Sequence, residues 1–253
     1  MTVAVFVSLR GAPGVTTAVL ATVAGWPTGR RVRLVEADPA GGVLAVRYGL
    51  EPSRGVASLA AARRETPGLL DEHGQELPGG VPVLVAPVAA EHATSSLTAV
   101  TGRLTSLLAE DRDTDVVVDG GRVWPGSPVW QLAAAADVVC VVVRPIAEEI
   151  AAVFARRDTL SQLGSAVRVI TVGSQPYPPE DVSATVNLPV SPFADDRRTA
   201  VALAGRGRVR ALARTALVRS ARDLADTLTA ITDDPPGATP PRLAAVPSPE
   251  ATR

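Results

Sequence analysis

A short apolar run near the amino terminus leads into a glycine-rich turn and then into an apolar helical segment. The run Val3–Ser8 (VAVFVS) predicts a buried strand, and the turn at residues 10–17 (RGAPGVTT) follows it closely. Glycines allow backbone N–H groups to point inward and form an anion-binding nest at the start of a helix. This order of strand, turn and helix is typical of phosphate-binding loops, and it constrains the fold more than any other segment.

The turn departs from the usual phosphate-binding motif at one position. The motif ends in glycine, lysine and a hydroxyl residue, whereas this chain has Gly14, Val15 and Thr16 there. All 25 basic residues are arginine, so no lysine can replace the missing one. A charge-assisted hydrogen bond contributes about 1.5–3 kcal/mol, so valine should weaken nucleotide binding by about 10- to 100-fold. Arg10 can supply part of the charge. The alternative is a plain turn that needs glycine only for its geometry.

Acidic residues end two further strand candidates. Glu36 and Asp38 follow one of them, and either could position water or a metal-bound water; a helix N-cap is the alternative. Asp119 ends the run Asp115–Asp119 and precedes two glycines, as in a Walker B strand, where it would bind Mg²⁺ through water. Asp115 opens that run, and we expect it to be solvated.

The rest of the chain alternates Val-rich runs with Ala- and Leu-rich segments, which predicts a doubly wound, mostly parallel sheet between two layers of helices. In such sheets ligands bind beyond the carboxyl ends of the strands. The predicted strands are Val3–Ser8, Val32–Glu36, Val81–Val85, Asp115–Asp119, Asp137–Val143 and Val167–Val172. The predicted helices are Thr17–Ala24, Ser58–Arg64, Glu91–Glu110, Val129–Ala135, Ile146–Leu163, Asp196–Ala204 and Val209–Ile231.

Composition limits the size, compartment and partners of the protein. The chain has 253 residues and is 46% hydrophobic, enough for one α/β domain over residues 1–231; the Pro/Ala-rich residues 232–253 predict a disordered tail. Cys140 lies in an apolar run and is expected to be a buried thiol. No apolar stretch is long enough for a transmembrane helix and no amphipathic membrane helix is seen, which predicts a cytoplasmic protein. The net charge of −1 does not favour DNA.

Taken in order, these segments resemble the MinD/ParA family of deviant-Walker P-loop ATPases over about residues 1–231. The family's KGGxGK[ST] loop corresponds to RGAPGVT at 10–16, its DxD segment to Glu36–Asp38 and its Walker B strand to Asp115–Asp119. Its strand-RP-helix segment corresponds to VVVRP at 141–145, where Arg144 either contacts nucleotide or caps the sheet edge. Its late IPxD segment corresponds to LPVSPFAD at 188–195.

The resemblance implies the ligands and their residues. ATP would be held by the loop, with Mg²⁺ on Thr16 and, through water, on Asp119, and with Asp38 orienting a water. Arg10 replaces the signature lysine, which in the family reaches across a homodimer, and the asparagine that often holds adenine is absent. The nucleotide-binding residues so implied are Arg10, Gly11, Ala12, Pro13, Gly14, Val15, Thr16 and Thr17.

In lacking the Walker A lysine, the chain resembles the TadZ/CpaE branch of the family. Its loop also resembles that of MinD-like proteins of actinobacteria. The first hypothesis is a nucleotide-binding scaffold, a pseudo-ATPase that positions or assembles a pilus, secretion or partitioning machine and is recruited by a partner to the membrane or pole. The second is a slow ATPase of chromosome or plasmid partitioning with non-specific DNA affinity. The arginines of Val209–Ile231, with Arg210 and Arg214 on one helical face, are expected to be solvated rather than a DNA patch. The third hypothesis is an interaction module that binds no nucleotide.

Overall fold

Eight strands form a single sheet in which every neighbouring pair is parallel except the edge pair β3 and β4. The computed structural model describes residues 1–11, 14–64, 66 and 68–233. Across the sheet the strand order is β3-β4-β2-β5-β1-β6-β7-β8, so the first strand lies between β5 and β6. The strands are β1 Val3–Ser8, β2 Arg31–Glu36, β3 Gln75–Leu77, β4 Val81–Leu84, β5 Thr114–Arg122, β6 Val138–Val143, β7 Ala166–Val172 and β8 Val190–Phe193.

Helices cover both faces of this sheet. Alternate residues of each central strand enter opposite apolar clusters, as Val5 and Val7 do on one face and Ala4 and Phe6 on the other. Helices α3 to α8 cover the first face, and α1, α2, α9 and α10 cover the second. The helices are α1 Val15–Ala24, α2 Leu44–Tyr48, α3 Val56–Ala61, α4 Leu69–His73, α5 Ala90–Glu110, α6 Val129–Ala135, α7 Ala147–Ser161, α8 Pro179–Val186, α9 Arg197–Leu203 and α10 Ala216–Asp233.

The doubly wound α/β fold and all six predicted strands are confirmed, whereas the predicted last helix is wrong over its first part. Residues 209–215 are not α-helical: Ala211 has φ +52°, a single 3₁₀ turn spans Leu212–Arg214, and α10 begins only at Ala216. Arg210 and Arg214 therefore do not share an α-helical face. Helix α10 continues to Asp233, and residues 234–253 of the predicted tail lie outside the described residues.

Short elements were not predicted. Strand β3 has three residues, which is too few for a periodic pattern, and it is the antiparallel edge strand. Helix α8 begins at Pro179, where proline is tolerated because the first turn of a helix needs no N–H donor. The five elements absent from the prediction are β3, β8, α2, α4 and α8.

At the amino ends of the strands, Asp115 is buried rather than solvated, contrary to expectation. Its carboxylate accepts hydrogen bonds from the Thr2 N–H (2.7 Å), Trp26 Nε1 (2.9 Å) and the Nε (2.6 Å) and Nη2 (2.8 Å) of Arg30. Burial raises the pKa of Asp115, but the bonds from Arg30, Trp26 and Thr2 lower it below its usual value. Arg30 also pairs with Asp233, so this cluster ties the first strand to the last described helix.

Candidate functional site

The predicted phosphate-binding loop lies at the carboxyl end of the central strand. Helix α1 begins directly after Gly14, whose φ of +95° is the left-handed conformation that favours glycine. Arg10 and Gly11 are exposed, and Thr16 and Thr17 are partly exposed at the start of the helix. The free N–H groups of this first turn form an anion-binding end of the helix. Ala12 and Pro13, which belong to the predicted nucleotide-binding set, lie outside the described residues.

Val15, at the position of the Walker A lysine, belongs to the core. Its side chain is only 6% exposed and is part of the apolar cluster that α1 shares with the sheet. No positive charge can reach a phosphate from this side chain. The start of α1 therefore has a packed aliphatic side chain where the usual motif has a lysine.

Asp119 lies beside this loop with a carboxylate that the protein satisfies only in part. It is fully buried, and one oxygen, Oδ1, accepts the Gly121 N–H at 3.1 Å. The other, Oδ2, has no hydrogen-bond partner of ordinary geometry among the described residues, although the Thr16 side chain lies near enough to lower the pKa of this carboxyl as a hydrogen-bond donor. Burial raises the pKa of Asp119 to about 7; Thr16 opposes this shift, and the nearby charges of Glu36 and Asp38 add to it.

Glu36 accepts hydrogen bonds only from backbone N–H groups of the protein among the described residues. Its Oε1 accepts the N–H groups of Val43 (2.6 Å) and Leu44 (3.0 Å) at the start of α2, and its Oε2 accepts the Ala86 N–H at 3.0 Å. Burial raises the pKa of Glu36, and these three hydrogen bonds oppose the rise. Of the two sequence interpretations, binding of a helix amino terminus therefore describes Glu36 better than positioning of water.

Asp38 is half-buried and faces the bend that follows Asp119. It accepts the Ala40 N–H at 2.8 Å, and burial raises its pKa. Its carboxyl group packs so closely on Gly121 that a Cβ atom there would lie 2.0 Å from the carboxyl carbon. The structure thus brings Asp38, Asp119 and Thr16 together at one edge of the sheet, as predicted from the sequence.

Arg144 is held by a neighbouring carboxylate. Glu149 is buried, and its two oxygens accept hydrogen bonds from the backbone N–H and the Nε of Arg144, both at 2.7 Å. This arginine therefore stays at the end of β6, next to the loop strand, with part of its charge already neutralised.

A small cavity that the sequence did not predict adjoins the loop. It has a volume of about 140 Å³ and lies between the start of α1 and the carboxyl ends of β7 and β8. Gly14 and Thr17 line one side, and Phe193 and Asp195 line the other. Only the order of the strands reveals it, because these two groups are almost 180 residues apart in sequence.

No group of three or more His, Cys, Asp or Glu side chains in the described ranges could hold a metal ion unaided. Mg²⁺ is commonly bound by one or two carboxylates together with substrate phosphates, so a magnesium site here requires the nucleotide.

Of the helices that the structure describes, none is both long and apolar enough to cross a membrane.

Comparison with solved structures places this geometry among known proteins. MinD of Pyrococcus horikoshii, solved with Mg-ADP, is similar with a TM-score of 0.72 and 17% identity, covering 91% of this chain and 98% of that chain. A ParA family ATPase from Chlorobium tepidum has a TM-score of 0.69 and 18% identity, covering 88% and 98%. The chain has the MinD/ParA fold.

MinD of Aquifex aeolicus, solved as a complex with MinC, is similar with a TM-score of 0.67 and 18% identity, covering 89% of this chain and 96% of that chain. No protein-family model and no curated protein sequence matches the chain. The similarity therefore establishes the MinD/ParA fold alone, and the function of the chain has to be inferred from the residues of its site.

Proposed function

We propose that the protein is a nucleotide-binding scaffold that takes up ATP with Mg²⁺ at the carboxyl end of β1 and hydrolyses it little or not at all. The observation that carries the proposal is Asp119: a fully buried carboxylate with an unpartnered oxygen, next to Thr16 and to the free amino end of α1. Such an oxygen is costly to bury unless a ligand satisfies it.

These residues fit a magnesium ion. Thr16 would hold Mg²⁺ by its hydroxyl and Asp119 through water, while the backbone N–H groups of the loop from Gly11 to Thr17, other than Pro13, which has none, would hold the phosphates. When bound, Mg²⁺ neutralises charge on the β- and γ-phosphates. The nucleoside would then lie toward the cavity beside Gly14 and Phe193, which adjoins the loop.

Slow or absent turnover follows from the core position of Val15. The Walker A lysine stabilises charge on the transferred phosphate, and a buried valine cannot do so. Asp38 would remain as the residue that orients a water. In this proposal the output of the protein is therefore its position and assembly state rather than its chemistry.

The exposed edge of the site is where a second copy of the chain would bind. Arg10 lies at this edge and would supply charge, including to a second copy of the chain in a nucleotide-dependent homodimer. The dimer would recruit a component of a pilus, secretion or partitioning machine, as a degenerate member of the TadZ/CpaE type would.

Calorimetric titration with ATP and Mg²⁺ tests this function, with Thr16→Ala as the site variant. Thr98→Ala is the matched control, because Thr98 is an exposed threonine on α5. Saturable heat in the wild type and the control that is lost in Thr16→Ala supports the proposal. Absence of heat at millimolar ATP would contradict it and favour an interaction module that binds no nucleotide. Multiple turnovers abolished by Asp38→Ala would favour a genuine ATPase.

A basic segment favours a second candidate, a partitioning ATPase that binds DNA. Residues 197–222 contain eight arginines and no acidic residue, whereas the rest of the chain has 17 arginines against 26 acidic residues and a net charge of −9. All eight are exposed, and none forms an ion pair with another described residue. They are Arg197, Arg198, Arg206, Arg208, Arg210, Arg214, Arg219 and Arg222.

Phosphate neutralisation by arginine makes affinity fall steeply with salt. A shift of duplex DNA at about 50 mM salt that disappears as salt rises would support this candidate. Replacing Arg206, Arg208 and Arg210 by Gln should then weaken the shift. No shift at low salt would leave the scaffold without DNA.

A further inference from the structure

Three arginines lie at the carboxyl ends of neighbouring central strands, and they differ in how they are paired. Arg144, after β6, is bound by the buried Glu149. Arg10, after β1, and Arg122, at the end of β5, are both exposed, and neither forms an ion pair within the described part of the chain. The edge that holds the candidate phosphate site thus carries two uncommitted positive charges, and only Arg10 was expected from the sequence.

A β-bulge places Arg122 at this edge. Strands β1 and β5 pair Phe6 with Asp119 but Ser8 with Arg122, so two residues of β1 advance against three of β5. The extra residue accompanies Gly121, which has φ +57° and adopts the left-handed conformation of a glycine bulge. Bulges next to active sites re-aim the side chains that follow them.

The bulge is fixed by contacts on both sides. The Val123 N–H donates to the Ser8 carbonyl at 2.9 Å, and the Ser8 hydroxyl donates to the Gly121 carbonyl at 3.4 Å. Any Cβ at Gly121 would meet the Asp38 carboxyl group at 2.0–2.3 Å, so the bend requires glycine. Arg122 is therefore held level with Ser8 on the neighbouring strand. Ser8 lies two residues before Arg10, and Arg122 lies three residues after Asp119.

The acidic residues around Arg122 favour a nearby positive charge, and the residue at the usual lysine position of the loop, Val15, does not provide one. Glu36, Asp38 and Asp119 lie close enough for the first two to affect the third. Bound phosphates would add more negative charge, and one Mg²⁺ cannot balance all of it. Val15 contributes none, because it is packed in the core.

We propose that Arg122 binds the β- or γ-phosphate of a nucleoside triphosphate, and that it supplies from β5 the positive charge that Val15 does not supply from α1. This inference rests on the proposed function and assigns a further binding residue to the same site. Guanidinium is suited to the task because it donates two parallel hydrogen bonds to a phosphate and stays charged at all relevant pH values.

The test compares arginines at the two ends of one strand by calorimetry with ATP and Mg²⁺. Arg122→Gln removes the charge at the site, and Arg112→Gln removes an exposed arginine just before the amino end of β5. We expect Arg122→Gln to weaken ATP binding by about 10- to 100-fold and Arg112→Gln to leave it unchanged. Arg122→Lys should recover part of the affinity, since it restores the charge but not the two parallel hydrogen bonds.

Each outcome decides between the two proposals. Unchanged ATP affinity in Arg122→Gln, with wild-type binding intact, would overturn the role of Arg122 and leave the nucleotide site standing. No binding by the wild type would overturn both. Equal losses in Arg122→Gln and Arg112→Gln would show a general effect of net charge and would also overturn it. Thermal unfolding of all three variants checks that the exposed substitutions leave the fold intact.

Discussion

Asp115 and Asp119 lie four residues apart on strand β5, and both are buried, yet their surroundings are opposite. Asp115 accepts hydrogen bonds from Thr2, Trp26 and Arg30, and its pKa is lowered. Asp119 accepts one backbone N–H, has Thr16 as its nearby side-chain donor, leaves Oδ2 without a hydrogen bond of ordinary geometry, and has its pKa raised to about 7. One end of the strand is thus a completed structural cluster, and the other is the candidate magnesium and phosphate site.

The difference shows that burial of a charge does not identify its role. A carboxylate paired on all sides stabilises the fold, whereas a buried carboxylate with an open oxygen and acidic neighbours costs free energy unless protonation, water or a ligand compensates it. The contrast gives the two ends of β5 separate and measurable signatures in stability, pH dependence and metal binding.

The largest expected effect is loss of stability in Asp115→Ala. The substitution leaves the Trp26 and Thr2 donors without their acceptor and leaves Arg30 with only its exposed ion-pair partner Asp233 among the described residues, which should lower the free energy of unfolding by about 3–5 kcal/mol. Urea denaturation of the metal-free protein measures it. Asp119→Ala is the matched variant, and it should cost much less. Equal losses at the two positions would break the comparison.

The sequence assigned different roles to these two residues but gave the wrong surroundings for Asp115. The glycines after Asp119 favoured a Mg²⁺ role for that residue, which stays a prediction, whereas the expectation that Asp115 is solvated is wrong. The partners of Asp115 come from Trp26 and Arg30, which are 89 and 85 residues away, so only the folded chain brings them together.

The fold was predictable because its main strands are recognised from local sequence. Long Val-rich strands buried on both faces have a pattern that is independent of distant contacts. By contrast, the three-residue β3 and the break at Ala211 depend on tertiary packing, and neither was predicted. The bulge at Gly121 was also missed, although two consecutive glycines before Arg122 were a signal for it.

The pH dependence of stability should have opposite signs at the two ends. Asp119 has a raised pKa in the folded state, so the unfolded chain loses its proton first and stability falls as pH rises from about 4 to 7, by about 2–4 kcal/mol. Asp119→Asn removes this loss, so its advantage over the wild type should grow across that range. Urea denaturation in metal-free buffer at several pH values measures it.

Asp115 provides the opposite slope in the same experiment. Its pKa is lowered, so its stabilisation is present above the pKa of the unfolded chain and is lost as pH falls through the folded value. The defect of Asp115→Asn should therefore shrink in acid. Parallel pH curves for the two Asn variants would contradict the distinction.

Metal-dependent binding should be affected at one end only. Asp119→Asn should lower the affinity for ATP with Mg²⁺ by about 10- to 100-fold, because an amide cannot replace the carboxylate behind a metal-bound water. Without Mg²⁺ the variant and the wild type should bind ATP more nearly alike. Calorimetry with and without the metal measures both values. A loss of equal size without Mg²⁺ would mean that Asp119 does not act through the metal.

The smallest effect sharpens the comparison at the amino end. Arg31 and Asp113 form an ion pair at 3.6 Å just before the buried cluster, but their side chains are 70% and 87% exposed. Water screens such a pair, so Asp113→Ala should change the free energy of unfolding by no more than about 0.5 kcal/mol. Urea denaturation beside Asp115→Ala tests this within one set of measurements. A loss of unfolding free energy in Asp113→Ala as large as in Asp115→Ala would show that the overall charge pattern stabilises the amino end. The difference between the two ends of β5 would then not depend on how completely each buried aspartate is paired.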